Sequence, residues 1–166
     1  LVATCTADDR LPCVACKIQA ALGAGQAAAF DINAACAGFL IGLSVAEGYL
    51  SSGAFANVLV VGTETVSKIV DWSDRGSAIL FGDGAGACVV TRSDSAFTFA
   101  LGADGEGGDA LRCSYNSTVT MDGQAVYRFA TRTVPKVINE VLAKAGMKAS
   151  EVDKYVLHQA NMRIIG

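Results

Sequence analysis

The feature that most constrains the fold is the apolar segment 36–51, which lies between two stretches typical of β-strands. It carries a single charged residue, Glu47. A helix that is apolar on almost all sides belongs in the middle of a layered structure. The short run 28–32 precedes it, and the continuous apolar, β-branched run 57–63 follows it. This order of strand, helix and strand predicts an α/β fold with layered sheets.

The remaining chain continues the alternation of strands and helices. In chain order, the patterns predict a strand or loop at 1–6, a helix at 13–22, strands at 87–91 and 97–102, an amphipathic helix at 126–145 and a strand at 154–158. A boundary at 93–96 is expected to separate residues 1–92 from residues 97–166.

The composition limits the class of protein. The 166 residues are 52% hydrophobic and only 17% charged, which is apolar for a monomer and indicates a missing partner surface or a missing part of a larger domain. Because the chain lacks an initial Met and ends in a helix-like pattern, we expect a fragment. The net charge of −3 argues against nucleic acid as the main partner. Without a signal peptide or a long apolar span, a soluble, cytoplasmic protein is expected.

Cys36 is the first candidate for chemistry. It stands among small residues at the junction between a short strand and the apolar helix. Free N–H groups at a helix start favour an anion, and thiolate is the reactive form of cysteine. Taken alone, the residue is either a nucleophile or a packed small residue.

His158 is the second candidate, because it is the only histidine and any imidazole base must be this one. It follows the predicted strand 154–158, a position suited to chemistry, although a lone histidine is often structural. Cys36 and His158 form a possible nucleophile and base, but sequence spacing alone does not bring them together.

Two further motifs have less specific patterns. Cys13 and Cys16 have the spacing of a redox or zinc motif, but no second pair follows, so packing is the favoured interpretation and metal or redox chemistry the alternative. The glycine-rich run 82–86 invites a dinucleotide interpretation, but a strand pattern rather than a helix follows it. Close backbone packing near a site is therefore preferred, and no metal site is predicted.

Four motifs together carry a family resemblance. They are Ala-Ala-Cys-Ala-Gly-Phe at 34–39, Asp-Arg-Gly at 74–76, Phe-Gly-Asp-Gly-Ala-Gly-Ala at 81–87 and His-Gln-Ala-Asn at 158–161. In this order and spacing the chain resembles the β-ketoacyl-[acyl-carrier-protein] synthase III family of condensing enzymes. The resemblance implies a thiolase-like layered αβαβα fold, here incomplete, with residues 1–92 in its first half and residues 97–166 in its second.

The resemblance also implies an activity: decarboxylative Claisen condensation of an acyl-CoA primer, typically acetyl-CoA, with malonyl-acyl carrier protein, which initiates type II fatty acid synthesis. Cys36 would hold the acyl group as a thioester, and His158 would stabilise the developing enolate. CoA and phosphopantetheine thioesters are substrates, and no cofactor is expected. A homodimer is expected.

Further residues match family positions. The positions implied to bind substrate are Phe81, Arg75, Gly76, Leu80, Gly123, Asn161 and Leu11, the last reaching a partner's acyl pocket. Arg128 and Arg163 match basic positions where the carrier protein docks. The family's catalytic asparagine, in a Gly-Asn-Thr-Ser motif, is absent from these residues, so the chain alone is expected to be inactive. The alternatives are a related condensing enzyme of secondary metabolism and a truncated, non-catalytic scaffold.

Overall fold

The computed structural model describes residues 1–165, which form two compact units. The first contains residues 1–68 and 82–95, and the second contains residues 69–81 and 96–165. The segment 69–81 therefore packs with the later part of the chain. The assignment of residues 1–92 and 97–166 to two related halves stays a prediction.

The first unit is built on a four-stranded mixed sheet of order β2-β1-β3-β4. The strands are β1 (Val2–Ala3), β2 (Asp31–Ile32), β3 (Asn57–Glu64) and β4 (Gly84–Thr91). β1 runs parallel to both β2 and β3, whereas β3 pairs with β4 in an antiparallel register along its whole length. β3 is the predicted buried strand, and its β-branched residues suit a position covered on both faces.

Two helices cover the two faces of this sheet: α1 (Val14–Ala21) and α2 (Gly38–Ser51). Successive side chains of a strand point to opposite faces. Val58 and Val60 of β3 accordingly pack in one buried cluster with Ala46 and Leu50 of α2. The next residue, Val61, packs in a second cluster with Ala15 of α1. The α/β fold predicted from the sequence is confirmed.

Glycines hold α2 close to the sheet. A Cβ atom added at Gly38 would lie 2.9 Å from the Cβ of Ala3, and one added at Gly42 would lie 3.0 Å from Cγ1 of Val60. Both distances are shorter than ordinary contacts between packed carbon atoms. The absence of side chains at these two positions therefore lets the start of α2 rest directly on β1 and β3.

The second unit contains the longest helix, α3 (Gly123–Ala145), after a hairpin of β5 (Leu111–Arg112) and β6 (Thr120–Met121). Asp122 caps α3 by accepting hydrogen bonds from the N–H groups of Gln124 and Ala125. Gly146 ends the helix in the left-handed conformation. The amphipathic helix was predicted, whereas the hairpin was not. The last helix described is α4 (Met162–Ile165).

Two predicted strands are wrong: neither 97–102 nor 154–158 forms one. A strand requires a neighbour whose backbone pairs with it, and within residues 1–165 neither segment has such a neighbour. Instead, Lys144 donates to the carbonyl of Phe99 at 3.4 Å, and Tyr155 donates to the carbonyl of Ala149 at 3.2 Å. Among the described residues, no helix has the length and apolar character that membrane crossing requires.

Candidate active site

Cys36 lies in a single 3₁₀ turn, Ala35–Ala37, immediately before α2. The helix proper begins two residues later than the sequence pattern predicted. Ala35 has a φ of 43°, in the left-handed region that residues with a side chain rarely adopt. The backbone thus turns sharply just before the cysteine, and the Cys36 residue is exposed.

The start of α2 has no side-chain cap. Ala37, at the N-cap position, cannot accept hydrogen bonds from the first N–H groups of the helix through its methyl group. Within the preceding turn, the Gly38 N–H donates to the Ala35 carbonyl instead. The turn therefore places Cys36 immediately before the N-terminus of α2.

An open cavity of about 260 Å³ lies beside this turn. Its lining is made mostly of small and apolar residues from α2, the preceding turn and strands β1, β3 and β4. The lining residues are Ala3, Ala35, Cys36, Phe39, Gly62, Thr63, Glu64, Gly84, Ala85 and Gly86. The small side chains leave room for a substrate next to the sulfur.

Glu64 is a polar member of this lining that the sequence analysis missed. Its carboxylate accepts hydrogen bonds from the Cys5 N–H at 2.8 Å, from the Thr4 hydroxyl at 3.3 Å and from the Thr6 hydroxyl. These bonds tie the segment after β1 to the end of β3, so one cavity wall is held by a network. The signal available in the sequence was an acidic residue at the end of a buried apolar strand.

Cys5 is the other thiol beside Glu64. Burial, together with the charge of Glu64 and a hydrogen bond to it, raises the pKa of Cys5 to about 11. Near neutral pH this residue therefore remains a thiol, which is the unreactive form. As a neutral thiol, Cys5 does not compete with Cys36 as a nucleophile.

The glycine-rich run 82–86 leads directly into a strand, because β4 begins at Gly84. The helix start that a dinucleotide site requires is therefore replaced by a strand that lines the Cys36 cavity. The preceding Asp83 accepts hydrogen bonds from the N–H and the hydroxyl of Ser67 at 2.8 and 2.6 Å. These bonds lower the pKa of Asp83.

Several candidate substrate-binding residues lie in or after one turn of the second unit. The Asp74 carboxylate accepts from the Gly76 N–H at 2.9 Å and from the hydroxyl of buried Ser77 at 2.6 Å. These bonds lower the pKa of Asp74 and fix the turn that exposes Arg75. Leu80 and Phe81 follow this turn, with Leu80 exposed and Phe81 half-buried.

Other candidates of the second unit lie on or near α3. Gly123 is its first residue, and the exposed Arg128 follows in the second turn of the helix. The Asn161 side chain accepts from the N–H of Arg163 at 2.9 Å, at the start of α4. The Tyr127 hydroxyl of α3 donates to the carbonyl of Arg163 at 3.5 Å. The structure thus brings Asn161 and Arg163 next to α3.

His158 is exposed, in a stretch of the second unit without regular structure. Leu11, in the first unit with Cys36, is 87% exposed. The pairing of Cys36 with His158 and the roles of the other candidates stay predictions. Among residues 1–165, no group of three or more His, Cys, Asp or Glu side chains is arranged to hold a metal ion.

Comparisons with known proteins find close relatives of this chain. The family model described as 3-oxoacyl-[acyl-carrier-protein] synthase III matches residues 30–105. The β-ketoacyl-[acyl-carrier-protein] synthase III 1 of Bacillus cereus is 49% identical over 99% of this chain and 54% of that protein. The chain therefore spans about half the length of the curated relatives it matches.

Solved structures agree with this result. The 3-oxoacyl-[acyl-carrier-protein] synthase III of Aquifex aeolicus superimposes with a TM-score of 0.94 at 43% identity, over 99% of this chain and 54% of that one. The priming β-ketosynthase of the R1128 polyketide pathway gives a TM-score of 0.93 at 38% identity, over 99% and 53%. The chain has about half of the thiolase-like fold of these structures and belongs to the β-ketoacyl-[acyl-carrier-protein] synthase III family.

Proposed function

We propose that the protein is a β-ketoacyl-[acyl-carrier-protein] synthase III, an acyltransferase that starts type II fatty acid synthesis in the cytoplasm. The observation that carries the proposal is the exposed Cys36, placed at the uncapped start of α2 beside a cavity lined by small residues. Its motif lies within the matched family region, residues 30–105. No cofactor is required, because thioester substrates supply the reactive groups.

Acyl transfer to Cys36 is the first proposed step. The Cys36 sulfur attacks the carbonyl carbon of an acyl-CoA, typically acetyl-CoA, and the CoA sulfur leaves with the bonding electron pair. Negative charge develops on the carbonyl oxygen, where preorganised N–H donors lower the barrier. The backbone N–H of Cys36, in the turn before α2, is the proposed donor.

Condensation with malonyl-acyl carrier protein is the second proposed step. Loss of carbon dioxide leaves a carbanion, which attacks the Cys36 thioester and returns the sulfur to its free form. His158 donates a hydrogen bond to the malonyl thioester oxygen as its charge develops. The exposed Arg128 and Arg163 provide positive charge for docking an acidic carrier protein.

The remaining candidate residues are proposed to contact the substrates of this reaction or a partner subunit. Arg75, Gly76, Leu80, Phe81, Gly123 and Asn161 line the path of CoA and pantetheine. Leu11 enters the acyl pocket of a partner subunit in a homodimer, which agrees with its exposure in a single chain. Placing an apolar side chain of this size in a partner removes it from water and favours association.

The test is a condensation assay on the full protein. Incubation with acetyl-CoA and malonyl-acyl carrier protein is expected to yield a β-ketoacyl-carrier protein and carbon dioxide. Omitting acetyl-CoA serves as the control for unprimed decarboxylation. A folded protein that forms no ketoacyl product with acetyl-CoA or longer acyl-CoA primers would exclude the proposed activity.

A related priming enzyme of polyketide synthesis is a second candidate. The TM-score of 0.93 and the 38% identity to the R1128 priming β-ketosynthase support it. The two candidates share the same Cys36 chemistry and differ in primer and carrier protein. Comparing kcat/KM across acyl-CoA chain lengths with a fatty acid and a polyketide carrier protein distinguishes them.

A further inference from the structure

Two cysteines at the start of α1 lie outside the Cys36 cavity and have no role in the proposed condensation. Cys13 is the N-cap residue of α1, and Cys16 is the third residue of the helix. The Cys13 thiol donates a hydrogen bond to the Cys16 sulfur, with 3.4 Å between the two sulfur atoms. Cys16 is exposed and Cys13 is half-buried. The pair is therefore accessible to small reagents on at least one side.

The geometry of the pair suits bond formation. A disulfide bond is about 2.05 Å long, so the sulfur atoms must approach by roughly 1.4 Å. Cys13 has extended rather than helical backbone angles, which leaves its side chain free to turn towards Cys16 without unwinding α1. The two sulfur atoms are therefore already close enough for a small side-chain movement to bring them to bonding distance.

The surroundings of the pair do not stabilise a thiolate. The first N–H groups of α1, at Val14 and Ala15, donate to the Asp31 carboxylate at 2.9 and 2.8 Å. This helix start is therefore already neutralised by a side chain. The hydrogen bond between the two thiols raises the pKa of Cys16, with smaller contributions from burial and from the charges of Cys13 and Asp31. Because stabilising the thiolate makes a dithiol harder to oxidise, its absence here favours the disulfide.

We propose that Cys13 and Cys16 form a reversible dithiol–disulfide site that reacts with low-molecular-weight disulfides. Exposed Cys16 first loses its proton to solvent, and its sulfur then attacks one sulfur of the reagent, which breaks the reagent's S–S bond and releases one thiol. Cys13 then attacks the Cys16 sulfur of the mixed disulfide and releases the second thiol. The protein gains one S–S bond and loses two hydrogen atoms, and the reagent is reduced to two thiols.

A metal-binding role is less well supported by the same residues. Soft cations such as Zn²⁺ are generally held by four ligands, and structural zinc sites use cysteine and histidine. Within residues 1–165, Cys13 and Cys16 have no third metal-binding side chain grouped with them. Two thiols alone suffice for a disulfide.

Oxidised glutathione is the probe for the test. The native full protein is incubated with it, quenched in acid, alkylated and digested with trypsin. Cleavage after Arg10 and Lys17 yields a peptide, 11–17, that contains Cys13 and Cys16 and no other cysteine. This peptide is expected to lose two hydrogen atoms and escape alkylation, and dithiothreitol is expected to restore it. Cys36 lies in a separate peptide, 18–68, and serves as an internal comparison.

Three variants sharpen the test. Cys13→Ser is expected to retain one glutathione on Cys16, because the resolving thiol is absent. Cys16→Ser is expected to react several-fold more slowly at Cys13, which is less exposed. Cys113→Ser, which changes an exposed thiol elsewhere, is the matched control and is expected to oxidise at 11–17 like the wild type.

Two results would overturn the proposal. One is a peptide 11–17 that stays fully alkylated in a folded protein under conditions that modify Cys36. The other is a peptide that carries two glutathione groups instead of an internal disulfide. Oxidation in the native protein is also expected to be several-fold faster than in urea, since the fold holds the sulfurs together. Equal rates in the two states would contradict that role of the fold.

Discussion

The environments of Cys36 and His158 differ in how far local packing fixes them. Cys36 stands at the start of a helix that is pressed onto a sheet through Gly38 and Gly42, with a hydrogen-bonded wall at Glu64. His158 lies in an exposed stretch without regular structure, in a unit whose long helix α3 has no fully buried residue. The nucleophile can therefore be tested directly, whereas the histidine must be tested through the reaction step in which it acts.

The largest expected effect belongs to Cys36→Ala. Removing a covalent nucleophile typically costs several orders of magnitude in turnover, and we expect a loss of at least about 10³-fold in condensation. Cys113→Ala removes an exposed thiol that has no proposed role and is expected to keep wild-type turnover. A Cys36→Ala protein that condenses at more than a tenth of the wild-type rate would remove Cys36 from the mechanism.

His158→Ala sharpens the comparison, because its effect is expected in only one of the two steps. Loss of a hydrogen-bond donor to a developing oxyanion costs roughly 10²- to 10³-fold, and we expect that loss in malonyl decarboxylation. Acyl transfer to Cys36 is expected to continue. Single-turnover measurements of each step separate the two effects. Equal losses in both steps would assign His158 a structural role.

Gly38→Ala tests the packing beneath Cys36. The added methyl group would meet the Cβ of Ala3 at 2.9 Å, and overpacking of this kind costs about 1–3 kcal/mol. Gly48→Ala is the matched control in the same helix, because nothing lies within 4 Å of its added methyl group. Because alanine has a higher helix propensity than glycine, Gly48→Ala is expected to raise the free energy of unfolding by up to about 1 kcal/mol. With unchanged m-values, the urea midpoint is expected to fall in Gly38→Ala and to rise in Gly48→Ala. If both variants lower the midpoint, the contact with Ala3 is not the cause of the destabilisation.

The smallest expected effect is the pH dependence of Cys5. Its pKa is raised to about 11, chiefly by burial and then by Glu64, so folding favours the neutral thiol. The corresponding stability is fully present below the ordinary thiol pKa and is lost as the pH rises towards 11. Iodoacetamide labelling of Cys5, in the tryptic peptide that ends at Arg10, is therefore expected to be slow at pH 8 and to increase steeply up to pH 11. Glu64→Gln should move this profile to lower pH, and an unchanged profile would contradict the contribution of Glu64.

The sequence predicted the parts of the fold that depend on strong local patterns. The apolar helix after Cys36, the β-branched strand β3 and the amphipathic helix α3 all formed near their predicted bounds. The strands expected at 97–102 and 154–158 did not form, because apolar alternation indicates a strand but does not supply a pairing neighbour. The hairpin of β5 and β6 was missed because two-residue strands leave almost no periodic signal.

The candidate site was predictable to a similar degree. Cys36 and His158 were proposed from their residue types and motifs, which depend on chemistry rather than on packing, and their roles stay predictions. Glu64 was missed because its role depends on Thr4, Cys5 and Thr6, which lie about 60 residues away in the chain and are brought close by the pairing of β1 with β3. Contacts of such long sequence separation leave no trace in local patterns.

The most direct test of the account is acetylation of Cys36. The native protein is incubated with acetyl-CoA, quenched in acid and digested with trypsin, which isolates Cys36 as the only cysteine of peptide 18–68. We predict one acetyl group on this peptide, removable by neutral hydroxylamine as expected for a thioester, and none in Cys36→Ala. An acetyl group confined to another cysteine peptide, or no thioester on a protein whose fold is verified by circular dichroism, would contradict the account.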